Sequence, residues 1–295
     1  MTGKKQSLGF AIIGAGMVGT AIGHLLVKAG HRIVAVADPS AAHLKRSQSY
    51  IGAPTFSNPA LAVSDAQCIL ITTPDDRISS VCGSLADCAT LKGKKVFHMS
   101  GAGGLDLLEP AARQGALTAS IHPLQSFSSI DGAIASSPGS YFGVTAVSGL
   151  KKLSSGIVRD LRGIPIAIDP AQKPLYHAAA CVASNYLVSL LSVVESLYLS
   201  IGFSEKDARR AYLPLVYGSL KNIEKQGCPG ALTGPIARGD SGTVARHMKA
   251  MVSSHPDYAP LYAHMGRIAV KLAREKGTLN ANQAKTIMDL LKGVK

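Results

Sequence analysis

The sequence predicts an α/β fold: a doubly wound, mostly parallel sheet followed by an all-α C-terminal domain. Three observations carry this prediction. An apolar strand pattern leads through a glycine-rich turn into a helix, strand and helix patterns then alternate, and no strand pattern appears after Asp169. The predicted domains are therefore a nucleotide-binding domain at residues 1–169 and a helical domain at residues 170–295.

The first strand is predicted from Ser7 to Ile13, and Gly14, Gly16 and Gly19 follow it as G-x-G-x-x-G. Gly14 would allow the tight turn, Gly16 would let the backbone approach a pyrophosphate, and Gly19 would let the helix pack on the strand. The N–H groups of the helix N-terminus would also face the anion. In this context the motif predicts a Rossmann sheet that binds a dinucleotide.

A second strand, Arg32 to Asp38, completes the βαβ unit. Asp38 is expected to accept hydrogen bonds from the adenosine ribose, which favours NAD because a carboxylate repels a 2′-phosphate. Ser40, Lys45 and Arg46 follow shortly and could instead accept that phosphate, so NADP stays open. The predicted cofactor-binding residues are Gly14, Ala15, Gly16, Met17, Val18, Gly19, Asp38, Thr73 and Pro74.

Polar residues stand where later strands end. Further strands are predicted at residues 68–74, 95–100, 118–122, 141–147 and 164–168. Ligands of parallel sheets bind beyond the carboxyl ends of the strands. Thr73, Ser100 and His122 occupy such ends, so we expect them near the cofactor. Ser100 would bind substrate or nicotinamide, or would serve only the turn before Gly101.

The C-terminal half reads as helices alone. They are predicted at residues 173–200, 205–226, 241–253, 258–276 and 280–291, with a kink at Pro214 and a Pro/Gly-rich loop at 228–240. The run from Pro174 to Val194 has no charged residue but carries several polar ones. We expect a helix buried inside the helical domain and at a dimer interface, rather than a membrane span.

Composition narrows the function classes. The chain has 295 residues, 46% of them hydrophobic, and a net charge of +13, which favours an anionic partner. The basic residues are spread along the chain, so a nucleic-acid role is not expected. The five cysteines form no C-x-x-C pair, which argues against a disulfide framework or a structural zinc site and fits a reducing cytoplasm.

Several motifs together carry a family resemblance. They are Gly14-x-Gly16-x-x-Gly19, Thr73-Pro74-Asp75-Asp76, Ser100-Gly101-Ala102, His122-Pro123-Leu124-Gln125-Ser126-Phe127, His177 with Ser184-Asn185, and Thr233 to Asp240. With them the sequence resembles an uncharacterised family that pairs a Rossmann-like N-terminal domain with a helical C-terminal domain of unknown function. That family is related to the 6-phosphogluconate dehydrogenase-like superfamily, which includes β-hydroxyacid dehydrogenases, pyrroline-5-carboxylate reductase and prephenate dehydrogenase. The resemblance implies a nicotinamide-dependent oxidoreductase, dimeric through the helical domain.

One departure limits what the resemblance implies. β-Hydroxyacid dehydrogenases place a catalytic lysine four residues before an asparagine, whereas Lys173 precedes Asn185 by twelve. Lys173, His177, Cys181 and Asn185 share one helical face. We expect His177, or else His122, to move the proton, and Asn185 and Ser100 to complete the catalytic group. Alternatively, His177 is a hydrogen-bonded core histidine and His122 caps the turn before Pro123.

The predicted function is an NAD(P)-dependent oxidoreductase acting on a small anionic substrate held between the two domains. Ser126 and Arg238 are predicted to bind this substrate, although Arg238 could be an ordinary surface residue. Asp240 is predicted to cap a helix. No metal ligand set is expected. The alternative is a dimer that binds or senses a nucleotide without turnover.

Overall fold

The computed structural model describes residues 7–292. An eight-stranded sheet has the order β3-β2-β1-β4-β5-β6-β7-β8. Every neighbouring pair is parallel except β6 and β7, which are antiparallel. This confirms the predicted mostly parallel sheet. The strands are β1 (Gly9–Ile13), β2 (Arg32–Ala37), β3 (Thr55–Phe56), β4 (Cys68–Ile71), β5 (Lys95–His98), β6 (Leu117–Pro123), β7 (Tyr141–Ala146) and β8 (Ile164–Ala167).

Helices connect these strands and then continue alone. Those up to the last strand are α1 (Met17–Lys28), α2 (Ala41–Ile51), α3 (Asp75–Cys88), α4 (Glu109–Arg113), α5 (Ile130–Ser136) and α6 (Lys151–Asp160). Those after it are α7 (Lys173–Ala183), α8 (Asn185–Ser200), α9 (Glu205–Ala231), α10 (Gly234–Ala237), α11 (Ser241–Ser254), α12 (Ala259–Lys276) and α13 (Ala281–Leu290). The predicted all-α character of the C-terminal part is confirmed.

The sheet is buried on both faces because its strands alternate between two apolar cores. In β1, Phe10 and Ile12 belong to one core, whereas Ala11 and Ile13 belong to the other. Each fully buried large side chain of this kind contributes about 1.5–3 kcal/mol relative to its exposed state. This two-sided burial fixes the strand ends, and with them the residues that follow each strand.

The chain forms two compact units, which divide between Tyr186 and Leu187. The first unit contains the whole sheet and also α7. The second has its own core, in which Val244, Ile287 and Leu291 are fully buried. The domain division predicted at residue 169 coincides with the end of the strands, and the first compact unit continues past it.

The prediction for residues 173–200 is wrong in two respects. The helix is interrupted at Ser184, whose ψ of −71° ends α7 before α8 begins. Lys173 is the only buried residue of the two helices as described, so the predicted burial inside the helical domain is not found. Apolar composition cannot tell whether the same chain covers a helix face. By length and composition alone, residues 170–200 could cross a membrane.

The later helices largely follow the prediction. The start of α11 is confirmed at Ser241, and the Asp240 side chain caps it by accepting from the Thr243 N–H at 2.9 Å. The helix α9 is not divided at Pro214, since its non-helical residue is Gly227, with φ of 69°. A kink at Pro214 stays a prediction. The segment predicted as a loop after it contains the short helix α10.

Candidate functional site

The glycine-rich turn after β1 uses its three glycines differently. Gly14 has φ of +109°, and a Cβ there would lie 2.8 Å from the Thr72 carbonyl. A Cβ on Gly19 would overlap the Gly14 carbonyl oxygen. Gly16 has an ordinary φ of −67°, and a Cβ there would meet nothing within 4 Å. Gly14 and Gly19 therefore shape the turn, whereas Gly16 leaves open space beside the backbone.

Asp38, at the end of β2, braces this turn. Its Oδ2 accepts a hydrogen bond from the Ala15 N–H at 2.7 Å, and its Oδ1 accepts one from the Ser40 N–H at 2.8 Å. His43 Nδ1 lies 3.2 Å from the same Oδ1, and Asp38 is buried. The predicted ribose contact remains a prediction. The contact with Ala15 was not foreseen, because the glycine motif does not show which loop N–H meets the acid.

The turn fits the pyrophosphate of a dinucleotide. Helix α1 begins at Met17 without a side-chain cap at Gly16, so its first N–H groups can meet an anion. Met17 is exposed beside this opening, and Val18 is partly buried. Just beyond the end of β4, Thr73 Oγ1 is buried and has no hydrogen-bond partner among residues 7–292. The neighbouring Pro74 is the residue from which α3 starts.

Ser100, beyond the end of β5, is tied into the protein. Its Oγ donates to the Asp75 carboxylate at 2.5 Å and accepts from the Gly103 N–H at 2.8 Å. Ser100 is only 3% exposed. These contacts show the turn role that the sequence left open, and the predicted contact with substrate stays untested. Asp75 was missed as a partner of Ser100, although it stands in the Thr73–Asp76 motif.

His98 is a buried histidine that the sequence analysis did not single out. Its Nδ1 accepts from the Ser100 N–H at 3.1 Å, and its Nε2 donates to the Gly104 carbonyl at 3.0 Å. These two bonds fit one neutral tautomer. Burial lowers the pKa of His98 to about 4, and the positive charge of Lys173 acts in the same direction. The imidazole is therefore uncharged at neutral pH.

His122, near the end of β6, is paired with Tyr176 of α7. Its Nδ1 lies 3.0 Å from Tyr176 Oη, and that hydroxyl lies 3.4 Å from the His122 carbonyl oxygen. If Nδ1–H donates to Oη and the hydroxyl donates to the carbonyl, both groups are satisfied and Nε2 is left as an acceptor. A Cβ at Gly143 would crowd the Tyr176 hydroxyl, so this glycine makes room for the pair.

Burial lowers the pKa of His122 to about 4, and the nearby His177 and the positive charge of Lys173 act in the same direction. Burial also raises the pKa of Tyr176 to about 12. At neutral pH the pair is therefore a neutral imidazole beside a neutral phenol. Tyr176 gave no signal in the sequence, because its role depends on the strand that α7 lies against.

His177 lies against His122. The two ring centroids are 5.5 Å apart in an edge-on arrangement. A Cβ on Gly101 would overlap His177 Nδ1 and lie 2.8 Å from His122 Nε2. The absence of a side chain at Gly101 therefore leaves room for both imidazoles. His177 Nδ1 is buried without a partner among the described residues, and Nε2 lies 3.5 Å from Cys181 Sγ.

A cavity of about 530 Å³ opens beside the two histidines within the first unit. Its lining includes His122, Gln125, Ser126, Cys181 and Asn185. The structure thus brings four predicted site residues to one place: His122, Ser126, His177 and Asn185. Their assigned roles in binding or catalysis stay predictions.

Two further predictions concern Arg238 and metal binding. Arg238 belongs to the second unit, where it is exposed at the end of α10. Its predicted contact with a substrate stays a prediction. In the part of the chain that the structure describes, no group of three or more histidine, cysteine or acidic side chains could hold a metal ion.

Two family models match the chain. Residues 2–123 match a Rossmann-like domain, and residues 140–269 match a domain of unknown function, DUF2520. The chain joins a Rossmann-like domain to a DUF2520 domain. The Rossmann-like match contains the glycine turn and His122, whereas the DUF2520 match begins before β7 and contains His177. No curated protein matches the chain.

Solved structures share this fold. A protein from Thermotoga maritima is 22% identical, with a TM-score of 0.73, over 91% of this chain and 99% of its own. Pyrroline carboxylate reductase from Plasmodium falciparum with NADP bound is 15% identical, with a TM-score of 0.59, over 92% and 98%. A reductive aminase from Aspergillus terreus in complex with NADPH and ethyl-5-oxohexanoate is 17% identical, with a TM-score of 0.60, over 97% and 93%.

Proposed function

We propose that this protein is an NAD(P)-dependent oxidoreductase. One observation carries the proposal: the open glycine turn and the His122–His177 pair stand at the same edge of one parallel sheet. Strands β1, β4, β5 and β6 all end there, and this is the edge at which α/β sheets bind their ligands. The bound NADP and NADPH of the two reductases with this fold support the choice of cofactor.

The cofactor would accept or supply a hydride, and the protein would supply position and protons. Gly16 would meet the pyrophosphate, and Thr73 Oγ1 offers an unused hydroxyl at the neighbouring strand end. His177 would exchange the proton with the substrate oxygen or nitrogen, because it borders the cavity and an imidazole can act as a general acid or base. His122, held neutral and tied to Tyr176, would accept a hydrogen bond from the substrate.

The substrate would be small and polar. The cavity beside the histidines holds about 530 Å³, and Gln125, Ser126 and Asn185 offer neutral hydrogen-bonding groups there. An anionic substrate is supported by the net charge of +13, which raises the local concentration of anions at the protein surface.

We also propose a cytoplasmic homodimer. Leu175 of α7 is 77% exposed and Val188 of α8 is 69% exposed, and apolar helix faces of this kind normally pack against another surface. A second copy of the chain would cover them. Light scattering at micromolar concentration should give twice the mass of the chain, and a monomeric mass would overturn the dimer.

The oxidoreductase proposal is tested by filling the opening at Gly16. Gly16→Val should fold normally, because φ there is −67° and a Cβ at this position meets no neighbouring atom within 4 Å. It should weaken binding of NADPH and NADH by about 100-fold or more, which corresponds to about 2.7 kcal/mol. Calorimetry on the wild type and the variant measures this loss.

The matched control is Gly83→Val in α3, another glycine with no atom within 4 Å of its would-be Cβ. It should bind both dinucleotides as the wild type does. Failure of the wild type to bind either dinucleotide would contradict the proposal. Tight binding without hydride transfer to a panel of small carbonyl and hydroxy acids would favour the non-catalytic alternative.

A further inference from the structure

Lys173 is a buried cation to which the proposed reaction assigns no task. It is the first residue of α7 and only 1% exposed. Its Nζ donates to the Ser100 carbonyl oxygen at 3.1 Å and to Ser120 Oγ at 2.8 Å. Both acceptors are neutral, and no carboxylate of residues 7–292 lies within ion-pair distance of Nζ. Burying an ammonium in this way costs stability, so its retention calls for a reason.

The contacts of this ammonium join three elements. Ser100 follows β5, Ser120 lies in β6, and Lys173 begins α7. Ser120 Oγ also lies 3.1 Å from the Ser100 carbonyl oxygen, so the three groups form one connected network. The Ser100 hydroxyl extends this network to the exposed carboxylate of Asp75.

The same network stands directly beneath the histidine pair. His122 lies two residues beyond Ser120 on β6, and His177 lies one helical turn beyond Lys173 on α7. The position of Lys173 therefore sets where α7 starts, and so how closely His177 approaches Gly101 and His122. A shift of the first turn of α7 would open this contact.

We propose that Lys173 is a positioning residue, whose ammonium fastens α7 to the ends of β5 and β6 and so holds His177 against His122. The catalytic meaning of this role rests on the proposed oxidoreductase function. The positive charge also acts on the groups around it: His98 and His122 are the bases that it affects, and Asp75 is the opposing charge.

The charge of Lys173 supports the same role as its hydrogen bonds do. After burial, the Lys173 ammonium is among the causes that lower the pKa values of His98 and His122. Burial also lowers the pKa of Lys173 itself to about 8, and Asp75 opposes that change. At neutral pH the lysine therefore carries its charge and favours neutral imidazoles in the two strand-end histidines.

The test replaces Lys173 by methionine, which keeps the length of the side chain and removes the ammonium. NMR titration of protein with ¹³C-labelled histidine should show the pKa of His122 rising by about half a unit to one unit. The NOE between the rings of His122 and His177 should weaken. The measurement needs neither cofactor nor substrate, so its failure is separate from failure of the oxidoreductase proposal.

The matched control is Lys94→Met, at the other edge of the sheet. Lys94 Nζ also donates to backbone carbonyls, those of Val63, Ser64 and Ala66. This variant should lose stability but leave the His122 pKa and the ring NOE unchanged. A merely structural role for Lys173 would make the two variants alike, and an unchanged His122 in folded Lys173→Met would overturn the proposal.

The wild type supplies a second measurement in case Lys173→Met does not fold. As the pH rises through about 8, Lys173 loses its proton, and the ring signals of neutral His98 and His122 should shift in that range. Ser120→Ala, which removes one acceptor of the ammonium, should move this step to lower pH. Absence of the step in the wild type would overturn the proposal.

Discussion

The glycine turn after β1 and the polar cluster at the ends of β5 and β6 stand at one edge of the same sheet, but they are built differently. The turn depends on backbone shape: Gly14 at φ +109°, Gly19 against Gly14, and open space at Gly16. The cluster depends on side chains that titrate, of which His98 and Lys173 are almost fully buried. Acid or a lost charge should therefore disturb the cluster far more than the turn.

The turn and the cluster should therefore differ in which changes they tolerate. A site built from backbone N–H groups keeps its fold with any side chain that fits the local φ and the free space, because the N–H groups supply the contacts with the ligand. A cluster of buried titratable groups holds together only in one charge state, because an unpaired buried charge is expensive. The three predictions below test this contrast, beginning with the largest expected effect.

Acid should weaken the protein through the cluster. The pKa values of His98 and His122 are both lowered to about 4 in the folded chain, against about 6.5 when unfolded. The unfolded chain therefore binds more protons between these values. The stability that the two neutral histidines contribute is fully present above pH 6.5 and is lost as the pH falls toward 4. For each of the two histidines, the free energy of unfolding should fall by about 2 kcal/mol between pH 7 and pH 5.

Urea unfolding at pH 7 and pH 5 measures this loss. His98→Asn keeps an acceptor for the Ser100 N–H but cannot take up the proton, so its loss over the same range should be smaller by about 2 kcal/mol. An equal loss in His98→Asn and wild type would show that other groups cause the acid sensitivity.

Gly101→Ala should separate the histidine pair. The added methyl would overlap His177 Nδ1 and approach His122 Nε2 to 2.8 Å, so one ring must move. We expect a loss of about 1–3 kcal/mol in stability and disappearance of the NOE between the two rings. Urea unfolding and NMR check the two effects.

The control for this change is Gly83→Ala, whose methyl would meet no atom within 4 Å. It lies inside α3, where alanine is favoured over glycine by up to about 1 kcal/mol. Gly101→Ala that is as stable as Gly83→Ala, with the NOE intact, would contradict the close approach of the two imidazoles.

Asp38→Asn should have the smallest effect. The amide has one acceptor oxygen in place of two, so either the Ala15 N–H or the Ser40 N–H loses its partner. The expected cost is about 1 kcal/mol in stability, with dinucleotide binding weakened only moderately because Gly16 stays open. Denaturation and calorimetry measure both, and binding lost as completely as in Gly16→Val would give Asp38 a direct role with the cofactor.

Much of the fold could be predicted from the sequence because its signals are local. The strand of Phe10 to Ile13, the glycine spacing and the cap at Asp240 each depend on residues within a few positions of one another. The division of 173–200 at Ser184 could not be predicted in this way, since serine is tolerated inside helices. Nor could the exposure of Leu175, because hydrophobicity does not say which chain covers a face.

The site was only partly predictable for a related reason. His122 stood out because it occupies the end of a predicted strand, and His177 because it shares a helical face with Asn185. The contacts of Lys173 with Ser100 and of Tyr176 with His122 could not be predicted, because the two partners are 73 and 54 positions apart. Such contacts depend on which strands lie side by side and where α7 begins, and neither follows from local spacing.

The account rests most directly on a dinucleotide bound at Gly16 that reaches the histidine pair. An NMR titration of the ¹³C-histidine-labelled protein with NADPH, repeated on Gly16→Val, tests both parts of this claim. We predict that the ring signals of His122 and His177 shift and saturate in the wild type, while those of His255, which belongs to the second unit, do not, and that none shifts in the variant. Saturable binding that leaves His122 and His177 unmoved, or equal shifts in Gly16→Val, would contradict the account.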